Sequence, residues 1–359
     1  MNLLNRTPFA AKYTTTHNKA GSECLVIVVK ATYRLPLAGE APELMEQQAP
    51  IVLSDTATGE PGLSSPEYES DFCLTKPKVD VLLLGTAYAP KGIEAKEVGV
   101  GMRVGDLLKT FKVTGKRRWK THLLGAVASV SGPEPFTQQA ISYDIAFGGI
   151  ETGPEQEKDC AVYLPNPVGL GYFRHYRHAD GKPMPQTEEM IKPIKMPDGK
   201  YKPMSFGPIG RNWLPRSGYA GTYDKKWQAE VFPFLPEDFD DRYFNAAPED
   251  QQLSELVGGE QVVLANLTHP ALTPSGRIEF HLPALALNVT LTPQKGSAER
   301  IAARVDTLVI EPDKQRYTIL WRVVRDLQNN PLRYKTIEIG ERGMVKAVHA
   351  ESAKAGGAA

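Results

Sequence analysis

The chain has 359 residues, enough for one large or two ordinary domains, and burial of roughly three quarters of the extended surface makes core size no obstacle. Its 42 basic and 42 acidic residues cancel, which excludes a global field that would attract nucleic acid or an anionic membrane surface. The 31 Gly and 29 Pro imply many turns and few long helices, and Cys24, Cys73 and Cys160 are too far apart for a disulfide framework or paired zinc ligands, so a reducing compartment is expected.

The first residues, MNLLNRTPFAAKY, show no basic segment followed by an apolar run, and no stretch reaches the ~18 apolar residues of a membrane span. A cytoplasmic protein is expected. Residues 23–35, ECLVIVVKATYRL, carry a continuous apolar block, as a strand buried on both faces would. Residues 37–65 read as a meander of short strands and turns, and residues 79–88, VDVLLLGTAY, as a second core strand. Residues 97–104 and 107–113 are short β runs. Their glycines, Gly99, Gly101 and Gly105, do not match G-x-G-x-x-G and no helix follows, so a hairpin is preferred to a nucleotide site.

Lys116, Arg117, Arg118 and Lys120 surround Trp119 in the one concentrated basic run. Stacking on a nucleic-acid strand is one reading. A solvated strand end is preferred, because polyanion binding takes contacts over a wider patch. Residues 141–149, ISYDIAFGG, alternate as a one-face strand. From 150 to 218 proline and glycine interrupt every candidate element. His175 and His178 there sit three apart, on one side of a helical turn, but no third ligand follows at suitable spacing, so no metal is expected. Residues 245–258 read as the best helix, with Pro248 in the first turn, Glu249 and Asp250 at its positive end and Gly258 or Gly259 as its stop. Strands return at 260–267, 277–282, 285–291, 301–311 and 315–324, the last two as one hairpin turning at 312–314, with a weak strand at 345–348 and a disordered tail at 351–359. The expectation is a mainly β protein whose antiparallel sheets pack as a β-sandwich-like core, with N- and C-terminal strands sharing it. A long irregular central insert at 150–258, rich in Pro, Gly and aromatics, and a few short helices complete a single domain over 1–350.

The stretch 217–252, SGYAGTYDKKWQAEVFPFLPEDFDDRYFNAAPEDQQ, concentrates aromatics, prolines and acids without a helical or strand period. It must be ordered by packing, either as a binding surface or as a wrap around the core. The chain has no G-x-S-x-G elbow, no H-E-x-x-H and no phosphate loop. Glu237, Asp238, Asp240 and Asp241 are the remaining catalytic candidates, and a carbohydrate-active hydrolase using Asp238, Asp240 or Asp241 is the alternative to a binding protein. An ordinary acidic turn is the simpler reading, since perturbed carboxylates need a pocket.

TPF at 7–9, VVKATYRL at 28–35, KPKVDVLLLGTAYAP at 76–90, GKRRW, YDIAFGG, NPVGLGY, FGPIGRNW, AGTYDKKW, FPFLPEDFDDRYFNAAPEDQ and GGEQVVLANL follow in order along the chain. Together they resemble the family called domain of unknown function 2169. The resemblance implies a non-enzymatic cytoplasmic adaptor or chaperone of bacterial type VI secretion, without cofactor, that helps load an effector carrying a PAAR-like domain onto the VgrG spike. It implies no membrane or nucleic-acid partner. Tyr, Trp and Arg carry most interface energy, so Trp213, Arg216, Tyr219, Tyr223, Asp224, Trp227, Asp238, Asp240, Arg242 and Tyr243 are the expected partner-binding residues.

Overall fold

The computed structural model describes residues 1–37, 39–123, 127–153, 160–283 and 286–341. The apolar block of the first core strand sets the architecture. Glu23–Arg34 is buried along nearly its whole length and lies inside a seven-stranded sheet. Across that sheet the order is Gln252–Leu253, Val79–Leu83, Arg304–Glu311, Arg316–Asp326, Glu23–Arg34 and Ala10–His17, with Glu43–Leu44 also paired to Glu23–Arg34. All neighbours are antiparallel except Val79–Leu83 and Arg304–Glu311.

Leu25, Ile27, Val29, Ala31 and Tyr33 point from one face into the main hydrophobic cluster. The period of two sends Val26 and Val28 to the other face, against Ile51 and Leu320. The main cluster is closed by two further sheets. One is five-stranded, Thr187–Glu188, Leu107–Thr114, Glu97–Val104, Gln261–Ala265 and Arg277–His281. The other is four-stranded, Asn2–Asn5, Tyr334–Glu341, Leu287–Pro293 and Glu299–Ala302. The result is mainly β, with sheets packed face to face, and the first strand, Asn2–Asn5, runs parallel to the last described one, Tyr334–Glu341. The glycines at 99–105 belong to the expected hairpin, Glu97–Val104 with Leu107–Thr114.

Several expectations change. Residues 79–88 form two strands in different sheets, Val79–Leu83 and Gly85–Tyr88, because the chain turns at Leu84 to pair with Gln138–Ile141. A Cβ on Gly85 would lie 3.2 Å from Pro312 Cδ, so glycine permits the passage. Residues 141–149 are not one strand. A 3₁₀ turn at Tyr143–Ile145 interrupts them, and the buried Asn166 side chain donates to the carbonyls of Tyr143 and Phe147. Residues 301–311 split between Glu299–Ala302 and Arg304–Glu311, which lie in different sheets. Residues 245–258 hold only a 3₁₀ turn, Glu249–Gln251, followed by the strand Gln252–Leu253. Tertiary bonds override the helical signals there. Asp80 takes the backbone N–H groups of Ala246 and Ala247, and the buried Gln251 amide donates to Val81 and Phe206 carbonyls, both at 2.8 Å. Residues 345–348 and 351–359 lie outside the described residues.

The outer face of the seven-stranded sheet carries charge as well as apolar side chains. A cavity of about 280 Å³ opens there, lined among others by Lys30, Asp71, Lys76, Glu311, Arg316 and Arg322. Its charges are largely matched: Lys30 pairs with Asp71, Arg322 with Asp306, and Glu311 with Arg316 at 2.7 Å and Lys314 at 2.9 Å. This polar layer joins the sheet to the irregular central chain.

Candidate functional site: an aromatic knuckle beside a free sheet edge

Ala10–His17 is the outermost strand of the seven-stranded sheet, paired only with Glu23–Arg34. Its outer edge meets no other strand among the described residues. The only charged side chain on it at neutral pH is Lys12, little protection for an edge that offers unpaired backbone groups. Beside it runs a groove of about 760 Å³, lined by residues 14–18, residues 72–74, Arg211, and Pro233, Phe234, Leu235 and Phe244.

The far wall belongs to the aromatic stretch. Asp224 caps the short helix Lys225–Glu230 by accepting from the Trp227 backbone N–H at 2.8 Å, and that helix buries none of its residues. Trp227 closes the turn by donating its indole N–H to the Phe234 carbonyl at 2.9 Å. Tyr223 and Phe232 meet the Trp227 ring edge-on, at centroid distances of 4.7 and 5.6 Å. The knuckle therefore holds itself together and projects. Phe232 is 66% exposed and Tyr223 52%, large values for aromatic side chains on an ordered segment. Phe234 leans back on His17 at 5.7 Å and on Gly21, where a positive φ and ring carbons 3.3 Å from a would-be Cβ favour glycine. Knuckle and sheet edge thus share one groove.

The expected partner-binding residues separate into three groups. Tyr223, Asp224 and Trp227 form the knuckle; Tyr219, Asp238, Asp240, Arg242 and Tyr243 lie at or near the surface of the following turn. There Arg242 stacks over the Tyr219 ring at 4.2 Å and pairs with Asp240 at 2.6 Å. Trp213 and Arg216 are buried, and this corrects their placement among the surface residues. Trp213 packs edge-on against Tyr143 inside a small core cluster. Arg216, 2% exposed, is clamped by the Glu69 carboxylate and donates to the carbonyls of Ile209 and Tyr243, both at 2.8 Å. Both residues build the platform beneath the turn.

The acids have local work. Asp238 accepts from the Thr222 N–H at 2.9 Å and its hydroxyl at 2.7 Å, and these bonds hold its carboxyl below the usual carboxylate range. Hydrogen bonds from the Arg242 side chain and N–H do the same for Asp240. Burial, helped by Asp240, raises the pKa of Asp241. In the basic run Lys116, Arg118 and Lys120 are exposed, whereas Arg117 is buried against Glu188 and Trp119 is buried with its indole donating to the Gly171 carbonyl. Trp119 cannot stack on a nucleic-acid base from that position. Sequence reasoning missed the Ala10–His17 edge and, though its aromatic stretch holds Phe232 and Phe234, did not count them among the partner-binding residues; the Thr-rich run KYTTTH was the available signal for the edge.

Fold and site together define a β-rich protein presenting a sheet edge and an aromatic wall to one groove. No helix among the described residues is long and apolar enough to cross a membrane. The chain belongs to the family described as an uncharacterized protein conserved in bacteria (DUF2169), whose model matches residues 20–322. The matched span starts just before Glu23–Arg34 and ends inside its neighbour Arg316–Asp326. No curated protein and no solved structure matches the chain.

Proposed function

We propose that this chain is a non-enzymatic adaptor or chaperone of bacterial type VI secretion. In the cytoplasm it would hold an effector through a PAAR-like domain and help load it onto the VgrG spike. The reading rests on the ordered motifs and on one observation: the edge Ala10–His17, which meets no other strand on its outer side among the described residues, borders a groove walled by Phe234 and Phe244, with the exposed Tyr223 and Phe232 on the adjoining knuckle. An extended segment of a partner can add its backbone to such an edge, gaining main-chain hydrogen bonds, while alternate side chains enter the aromatic groove and set specificity. Asp238 and Asp240, engaged in turn bonds, add the surface charge that orients a partner without a role in proton transfer.

The test is co-expression with an effector carrying a PAAR-like domain. Tyr223→Ala combined with Phe232→Ala alters exposed side chains and should leave the fold intact. Truncating interface aromatics costs about 2 kcal/mol each at a hot spot, so co-purification should fall by well over tenfold. Unchanged capture by this variant would remove the knuckle from the interface, and failure of the wild-type chain to retain the effector would remove the adaptor reading.

A further inference from the structure

Away from the groove, the structure brings together three residues that sequence spacing kept apart. Glu151 follows the isolated bridge between Ile150 and Val162, and its N–H donates to the Ala161 carbonyl at 2.8 Å. His175 is the N-cap of the short helix Tyr176–Ala179, and His178 lies on that helix three positions later. Both imidazoles turn their Nδ1 atoms to one oxygen, Glu151 Oε1, at 3.1 Å for His175 and 2.8 Å for His178. The ligating atoms of all three residues lie within 4.8 Å of one another.

From this geometry we infer a binding site for one divalent transition-metal ion of the zinc class, held by Glu151, His175 and His178. Two imidazole nitrogens and one carboxylate oxygen suit zinc, and three protein ligands leave a fourth position open for water or a partner's side chain. Three features favour a ligand over a plain hydrogen-bonded cluster. The Glu151 side chain is fully buried, yet its Oε2 has no hydrogen-bond partner among the described residues, an expensive arrangement unless something else coordinates the carboxylate. The site is graded in exposure, with Glu151 at 0%, His178 at 14% and His175 at 49%, so an ion can enter from the His175 side and settle on a buried anion. Finally, Gly153 has a φ of +136° and passes so close to His178 that a Cβ would sit 2.7 Å from its Cγ, which fixes the plane of that ring.

Zinc ligands at about 2.0–2.2 Å from the ion stand about 3.3 Å apart in a tetrahedron, near the present 3.1 and 2.8 Å separations, so with each imidazole proton on Nε2 only modest side-chain shifts convert the contacts to coordination.

The experiment is calorimetric titration of tag-free, chelator-treated protein with Zn²⁺, and separately with Mg²⁺, for the wild type, His175→Ala and His178→Ala. The backbone bond from His175 N–H to Glu151 at 3.0 Å survives in His175→Ala, so that variant should keep its fold, checked by circular dichroism. Expected are one saturable Zn²⁺ site per chain, no comparable Mg²⁺ binding, a Zn²⁺-dependent rise in melting temperature, and affinity at least about tenfold weaker in each variant. The inference is overturned by no stoichiometric Zn²⁺ binding to the wild type, by binding unchanged in folded His175→Ala, or by preference for Mg²⁺.

Discussion

Asp80 lies fully buried at the centre of the polar layer, and replacing it by asparagine isolates what that layer contributes. Its carboxylate accepts from Lys76 Nζ at 2.7 Å, Asn245 Nδ2 at 2.8 Å, and the N–H groups of Ala246 at 2.9 Å and Ala247 at 3.2 Å. An asparagine amide can satisfy the donors on one of its two sides only; its NH₂ then faces N–H groups on the other. Lys76, 10% exposed, would remain charged with only the Thr307 hydroxyl at 2.8 Å. Burial alone would lower the Lys76 pKa, but Asp80 and Asp306 reverse this and raise it, so the ammonium depends on those charges. Removing one partner of a buried pair costs about 3–5 kcal/mol, and Asp80→Asn should lose that much stability in urea denaturation at neutral pH. Hydrogen exchange at Ala246 and Ala247 should accelerate as the turn before Pro248 loosens. In Lys76→Met combined with Asp80→Asn no orphaned charge remains, and a substantial part of the loss should return. A single-variant loss under about 1 kcal/mol, or a double variant no more stable than the single, would refute the assignment of Asp80 as the electrostatic anchor of the turn before Pro248.

Lys109, 3% exposed, reports on pH. Burial lowers its pKa to about 8 against the partial compensation of Asp250. The unfolded chain then holds more protons on this group between about 8 and 10.4, so its contribution to stability rises with pH across that window and its full penalty applies below pH 8. The stability gap between wild type and Lys109→Met, measured by denaturation at pH 7 and pH 10, should move toward the wild type by about 2–3 kcal/mol; a pH-independent gap contradicts the burial argument. Gly115→Ala places a Cβ 1.7 Å from the Glu134 carbonyl oxygen and should destabilise by about 1–3 kcal/mol or more, seen as a lower melting temperature. Asp224→Ala removes the knuckle's helix cap, which should cost about 1 kcal/mol locally and weaken effector capture without lowering the global midpoint by more than a few degrees.

The legible parts of the chain were those where local pattern and tertiary burial agree. Residues 23–34 and 316–326 read correctly because central strands buried on both faces need continuous apolar sequence, and the hairpin at 312–314 carried its own turn residues. Ala10–His17 escaped because a half-exposed edge strand needs little hydrophobicity. The helix read at 245–258 failed where Asp80, distant in sequence, supplied hydrogen-bond partners that no local signal announces. In the candidate site, composition could not distinguish Trp213, which packs under the turn, from Trp227, which stands in the knuckle. The Glu151 cluster stayed hidden for another reason: its third member precedes His175 by 24 positions, and a search for ligands downstream never reaches it.

The pairing of Glu23–Arg34 with Arg316–Asp326 also governs when this protein can exist during its synthesis. Glu23–Arg34 is made well before Arg316–Asp326, its neighbour on one side. Until then one edge of an intensely apolar strand lacks its native cover, and only Ala10–His17 and the two-residue strand Glu43–Leu44 can pair with it. Such long-range closure makes folding slow and leaves nascent chains prone to association. Chains halted before residue 316 should accordingly depend on general folding helpers.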